Sequence, residues 1–193
     1  MTGLHEDDVD ADPIVQFHAW HATAGHPAEV AVVTASPEGV PSARMVLLKE
    51  ADERGFAFFT NYSSVKARDL VANPQAALLF FWPPDRQVRV SGPAAMVADD
   101  ESDEYWRGRP RGSQLGAWAS HQSEVIEGRA TLERRLAETT AKFPEEVPRP
   151  PFWGGFRVAP ETVEFWQHRD DRLHDRLRYR QEGGGWVVER LSP

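Results

Sequence analysis

Cysteine does not occur in this chain. Its absence removes disulfides, thiolate metal sites and cysteine nucleophiles together, and makes a reducing compartment the natural expectation. Long apolar runs are missing as well, for nowhere do about 18 apolar residues follow one another as a membrane-crossing helix needs. The first twelve residues carry Glu6, Asp7, Asp8, Asp10 and Asp12 in place of a basic stretch followed by an apolar one, so they do not read as a signal peptide. A cytoplasmic protein with no membrane segment is expected. Positive charge is not in excess either. The formal net charge is −8, which argues against bulk nucleic-acid or anionic-membrane binding, because phosphate backbones are held by clustered Lys and Arg. Any anion must then meet a local cationic pocket. Gly-x-Ser-x-Gly, His-Glu-x-x-His and phosphate-loop sequences are absent, which leaves hydrolase and kinase readings without a motif. His18, His21 and His26 have no carboxylate at matching spacing, and Gly25 is expected to end a helix before His26, so no metal site is read there.

What is present suffices for one domain. A chain of 193 residues with 40% hydrophobic content can bury a core without covalent staples. Residues 1–12 read as an acidic, self-repelling, disordered tail and residues 13–193 as a single domain. Asp12-Pro13 suits a helix start, with Ile14, Phe17 and Trp20 on one face. Short β-rich runs follow at 30–35, 42–49, 56–61, 76–82 and 87–97, joined by turns such as Ser36-Pro37-Glu38-Gly39 and Asp52-Glu53-Arg54-Gly55. Ser63 or Ser64 can cap a short helix to Ala72. Further helices are predicted from Asp99 or Asp100 to Arg107, at 114–119 and at 128–143, the first with its own acids as cap. A proline-rich connector over 144–151 leads into strands at 152–158, 162–167, 176–181 and 186–191. Gly183-Gly184-Gly185 is a hairpin turn rather than a phosphate cradle, since no helix follows it. Strands joined mostly by tight turns predict a mainly β fold with flanking helices, an antiparallel barrel.

The densest chemistry lies at Phe165-Trp166-Gln167-His168-Arg169-Asp170-Asp171-Arg172-Leu173-His174-Asp175-Arg176. Arg172, His174 and Arg176 alternate with Leu173 and Asp175, so an extended chain would turn all three cations to one face. Such a face suits an anionic or electron-rich ligand. Together with Arg44, Lys49, Lys66, Gln87, Arg109, Gln122 and Trp166, the residue types could bind two phosphate groups and a flat ring.

These residues fall in blocks that carry a resemblance. Arg44-Met45-Val46-Leu47-Leu48-Lys49, Phe58-Phe59-Thr60-Asn61, Arg86-Gln87-Val88, Arg109-Pro110-Arg111-Gly112-Ser113-Gln114-Leu115-Gly116-Ala117-Trp118, Phe152-Trp153-Gly154-Gly155, Glu164-Phe165-Trp166-Gln167 and Arg172-Leu173-His174-Asp175-Arg176 are collinear over residues 12–193. In that order they resemble the pyridoxamine 5'-phosphate oxidase family. The resemblance implies an antiparallel split β-barrel that binds FMN at the interface of a homodimer. It also implies oxidation of pyridoxamine or pyridoxine 5'-phosphate to the aldehyde, with oxygen as acceptor and hydrogen peroxide as product. By the same resemblance, Arg44 and Lys66 hold the FMN phosphate beside Thr60 and Ser123. Met45, Val46, Leu47 and Phe59 line the cofactor, and Gln87, Gln122, Trp166 and Arg176 complete its site. Lys49, Tyr105, Arg109 and Ser113 grip the substrate phosphate, and Arg172 and His174 lie over the reacting end.

Two departures from the family pattern stand out. Val65 occupies a position where the family usually carries arginine, and the acidic start replaces a basic, tyrosine-containing segment that closes over the substrate. Two other readings stay open beside the oxidase: a related FMN oxidase of another reduced ring, such as a phenazine precursor, and a non-catalytic flavin or vitamin-phosphate binding protein. The complete set Lys49, Tyr105, Arg109 and Ser113 favours the phosphorylated substrate. Arg172 and His174 favour catalysis over mere binding.

Overall fold

A computed structural model describes residues 3–193. Helix α1 (Pro13–Thr23) starts as its sequence dictates, with the Asp12 carboxylate accepting from the Ile14 N–H and proline at the first helical position. Then come β1 (Glu29–Ala35), β2 (Pro41–Leu47), β3 (Glu50–Asp52), β4 (Gly55–Asn61), α2 (Val65–Ala72), β5 (Gln75–Trp82) and β6 (Arg86–Met96). The second half holds α3 (Asp99–Arg107), α4 (Arg111–Ala119), α5 (Arg129–Lys142), β7 (Trp153–Val158), β8 (Thr162–Gln167), β9 (Asp175–Glu182) and β10 (Gly185–Arg190). Ser64 is the cap of α2. The expected acidic cap of α3 is corrected: Ala98 holds the cap position, and Asp99 and Asp103 instead pair with Arg149 at 2.8 and 2.5 Å.

All strand pairs are antiparallel, in the order β10-β9-β8-β6-β5-β1-β2, with β7, β4 and β3 branching from the end of β6. The result is a split β-barrel with flanking helices. Long β6 makes the split possible. Its first residues pair with β8 and Ala94–Met96 pair with β7. Between them sits Gly92, where a Cβ would lie 2.0 Å from the Ala159 carbonyl oxygen, so only glycine lets the strand pass.

Alternation selects what the barrel buries. Val30 and Val32 of β1, Leu78 and Phe80 of β5, Val88 and Val90 of β6, and Phe165, Leu177 and Tyr179 of β8 and β9 form one core. Phe17 of α1 meets Phe56 and Phe80 edge-on at 4.9 Å, and Trp20 meets Phe165 at 5.1 Å, which fixes the helix against the sheet. A smaller core of Trp106, Leu115, Val147 and Trp153 joins α3, α4 and the connector to β7.

The acidic start behaves differently from an isolated tail. Leu4 is buried, its N–H donates to the Asp175 carboxylate at 3.1 Å, and the Tyr179 hydroxyl donates to the Asp10 carbonyl at 2.7 Å. Glu6 pairs with Arg190 at 2.7 Å. Burial of one leucine and a cation from β10 supply what mutual repulsion alone would deny. Met1 and Thr2 lie outside the described residues.

Candidate functional site

A cavity of about 560 Å³ opens among β2, β4, α2, α3 and α4. It gathers Arg44, Met45, Val46, Leu47, Lys49, Phe59, Thr60, Lys66, Tyr105, Arg109, Ser113 and Gln122 of the expected set. One end is a cationic floor. Arg44, opposite Val32 in the β1–β2 register, donates to the hydroxyls of Thr34 (2.8 Å) and Ser42 (2.6 Å) and to the Val32 carbonyl. The Thr34 hydroxyl in turn donates to the buried Asp69 carboxylate at 2.6 Å. The Lys66 ammonium donates to Thr60 Oγ1 at 3.0 Å, Gln122 Oε1 at 3.0 Å and Ser64 Oγ at 3.3 Å, all neutral. Burial first, and the Arg44 charge second, push the Lys66 pKa down to about 8. A desolvated ammonium of this kind is stabilised by an incoming anion.

The other end is aromatic and cationic. Phe59, Tyr105 and Trp153 stack nearly parallel, with centroids 4.2 Å apart for Phe59 and Tyr105 and 5.5 Å for Phe59 and Trp153. The Arg109 guanidinium lies 4.6 Å from the Trp153 ring centre, and Lys49 Nζ lies 5.6 Å from that of Tyr105. Arg109 Nε is buried without a hydrogen-bond partner. An anion with several acceptor oxygens would satisfy it. Two cationic ends on one apolar wall therefore fit a ligand set with two phosphates and a flat ring.

Other expected residues gather elsewhere. Gln87, Trp166, His174 and Arg176 line a separate cavity of about 300 Å³ with Arg89, Glu164 and Pro193. The β6–β8–β9 register sets Gln87 beside Trp166 and Trp166 beside Arg176. Glu164 accepts from Arg176 Nε at 2.8 Å and Arg89 Nη1 at 3.2 Å, and this contact raises the Arg176 pKa. From β2 to β8 is four strand steps along the sheet, roughly 19 Å. One chain thus carries the expected set in two parts.

Ser123 and Arg172 line neither cavity. Both adopt the left-handed backbone, at φ 75° and 66°, a conformation uncommon for non-glycine residues. The Ser123 hydroxyl accepts from the Val65 N–H at 3.3 Å, which puts it at the start of α2. The extended face expected for Arg172, His174 and Arg176 is corrected. Strand β9 begins only at Asp175, and the Asp171 carboxylate accepts from the Leu173 N–H in a local turn that breaks the alternation.

Several lining residues escaped the sequence reading. Asn61, Ser120 and Trp153 line the first cavity and Glu164 the second. Asn61, Trp153 and Glu164 stand inside the blocks that carry the resemblance, so membership of those blocks was the available signal. Among the described residues no three His, Asp or Glu side chains converge as metal ligands would. His18 and His21 instead contact the carbonyls of Ala51 and Pro27.

The second cavity borders an exposed apolar face. Met45 (62% exposed) and Leu79 flank Ala31 across three strands, and Phe81 (56% exposed) pairs with Gln87. Exposed apolar surface of this kind is what protein–protein association can bury.

Comparison with known proteins shows the family. Residues 21–143 match the family model described as pyridoxamine 5'-phosphate oxidase. Residues 153–193 match a pyridoxine 5'-phosphate oxidase C-terminal dimerisation region. A pyridoxine/pyridoxamine 5'-phosphate oxidase of Rubrobacter xylanophilus is 57% identical, over 99% of this chain and 91% of its own. Its counterpart in Nostoc punctiforme is 53% identical, over 100% and 94%. The crystal structure of PhzG from Burkholderia lata 383, in complex with tetrahydrophenazine-1-carboxylic acid, superposes with a TM-score of 0.92 at 35% identity, covering 98% of both chains.

Proposed function

This chain belongs to the pyridoxamine 5'-phosphate oxidase family, and from that premise we propose how its two clusters share the work. The protein is an FMN-dependent enzyme that oxidises pyridoxamine or pyridoxine 5'-phosphate to pyridoxal 5'-phosphate. FMN, when bound, would supply the redox chemistry: a hydride equivalent leaves C4' and a proton leaves the substrate hydroxyl or amine, so that two electrons and two protons in all reach oxygen as hydrogen peroxide. With the amine substrate, water provides the aldehyde oxygen and ammonia leaves.

The protein's own residues bind and orient. Arg44 and Lys66 hold the FMN phosphate, with Thr60 and Ser123 at hand as hydroxyls. Met45, Val46, Leu47 and Phe59 line the ring, and Gln122 joins them from the loop after α4. Lys49, Tyr105, Arg109 and Ser113 grip the substrate phosphate by charge-assisted hydrogen bonds. The observation that carries this division is the pair of cationic ends: one has an ammonium with no carboxylate partner, the other an unpaired guanidinium Nε.

Homodimerisation supplies the rest. In this reading FMN lies at the interface, and a second copy of the chain brings Gln87, Trp166, Arg172, His174 and Arg176 to the first cavity. The four-strand separation of the two clusters and the apolar face between them support that reading. His174 and Arg172 orient the C4' substituent.

A second reading, oxidation of a reduced phenazine acid, is favoured by the likeness to PhzG. Such a substrate would leave the Lys49 and Arg109 end without a phosphate. An assay with FMN, oxygen and either substrate class separates them. Aldehyde and peroxide formed from the phosphorylated pyridines support the first reading, and turnover of the phenazine acid alone refutes it. The composite site has its own test. A flavin-site variant, Arg44→Ala with Lys66→Ala, mixed with Arg172→Ala plus His174→Ala, should recover about a quarter of wild-type activity, since heterodimers regain one intact site. No recovery after exchange would place the whole site in one chain.

A further inference from the structure

We propose that Asp175 is a positioning residue, tying the N-terminal segment and Arg190 to the loop over 168–174 and so deciding which ring nitrogen His174 offers to substrate. The inference rests on the proposed role of His174 at the reacting end. It begins with a hydrogen bond inside the loop: the Arg169 N–H donates to His174 Nδ1 at 3.0 Å. A nitrogen that accepts carries no proton. The neutral ring is therefore the Nε2–H tautomer, and Nε2 is left to donate to a ligand.

That hydrogen bond needs Arg169 to stay in place, and Asp175 holds it there. Arg169 Nε donates to Asp175 Oδ2 at 2.7 Å, which closes the loop onto the first residue of β9. The same oxygen accepts from the Leu4 N–H at 3.1 Å, and Oδ1 accepts from Arg190 Nη1 at 3.0 Å. Arg190 in turn holds the Leu4 carbonyl at 2.8 Å and both oxygens of Glu6. Burial works against the Asp175 charge, yet these donors keep its pKa below the usual value. Gly3 completes the packing, because a Cβ there would lie 1.6 Å from an Arg169 guanidinium nitrogen.

The arrangement does more than close a surface loop. Arg172, in its left-handed conformation, sits midway along the segment that Asp175 ties. Releasing the tie frees both side chains proposed to face C4', although neither Asp175 nor Arg169 needs to touch substrate. The N-terminal segment thereby becomes a fixed strap behind the loop.

Two variants of the FMN-loaded dimer test this. Arg169→Ala keeps the backbone N–H and removes only the tie, while Asp175→Asn weakens the three contacts together. Long-range 1H–15N spectra of the labelled holoenzyme, with His174 assigned through His174→Gln, should show the Nε2–H tautomer in wild type and a tautomer mixture in both variants. We expect kcat to fall about tenfold as orientation is lost, with FMN affinity nearly unchanged, and Arg169→Lys to restore most of it. A lowered melting temperature with an unchanged tautomer and kcat would show the network to be structural only and overturn the proposal. Normal turnover by His174→Gln would instead overturn the functional reading on which it rests.

Discussion

The ammonium of Lys66, on the first turn of α2, donates to the carboxamide oxygen of Gln122 at 3.0 Å across 56 positions of sequence. A buried cation whose partners are all neutral is poised between two protonation states. Its pKa of about 8 lies below the ordinary lysine value of 10.5. Below pH 8 the charged form is a cost to the folded protein, and that cost is relieved as pH rises from 8 towards 10.5, where only the unfolded chain still holds the proton.

Binding of FMN should show the opposite dependence. A phosphate dianion at Lys66 favours the ammonium, so binding takes up a proton above pH 8. The dissociation constant of FMN should then rise by up to about tenfold per pH unit above that point. Lys66→Arg stays charged and should flatten the profile in a fluorescence titration. An unchanged slope in that variant would assign the effect to another group.

Substrate and cofactor contacts should separate kinetically. Arg109→Ala removes binding that ground and transition states share, so KM for the phosphorylated substrate should rise about ten- to a hundredfold while kcat and FMN affinity hold. A fall in kcat with unaltered KM would move Arg109 to the reacting end.

Helix α2 offers a contrast between neighbours. Arg68 is exposed and its guanidinium donates to the Ser63 carbonyl, away from the cavity lining. Arg68→Ala should leave FMN affinity within about twofold. Val65→Arg adds a cation beside Lys66 and should tighten FMN by about tenfold. Isothermal titration of FMN into the apo forms checks both, and a loss of affinity in Arg68→Ala would place that side chain at the phosphate.

Stability should depend on the seat of α1. Phe17 is fully buried between Phe56 and Phe80, so Phe17→Ala should cost about 3–5 kcal/mol. Urea unfolding measures it directly. A loss under about 1 kcal/mol would mean that the helix repacks without its anchor.

Much of the fold was legible from local pattern. Asp12-Pro13 announces α1, Ser64 caps α2, and the apolar runs at 30–35 and 76–82 mark β1 and β5, while which of their residues are buried was left to the sheet. Each depends on residues a few positions apart, whose geometry the backbone dictates. The aromatic and basic blocks were likewise legible as blocks, suited to two phosphates and a flat ring, and their resemblance to the oxidase family implied a flavin. Their partition was not. Gln87 meets Trp166 because β6 pairs with β8, while Arg44 lies at the far end of the strand order, and strand pairing is a choice among distant segments. Arg172 left its expected face because one Asp171 oxygen captured the Leu173 N–H, a competition that alternation cannot express. Acidity alone made 1–12 read as a free tail, yet Glu6 finds Arg190 at 184 residues' distance. Composition and spacing thus determined the elements, and the resemblance the chemistry expected of them. Tertiary pairing decided which groups share a cavity, which lie strands away from it, and how an acidic segment is neutralised, because charge and burial are satisfied in space rather than along the sequence.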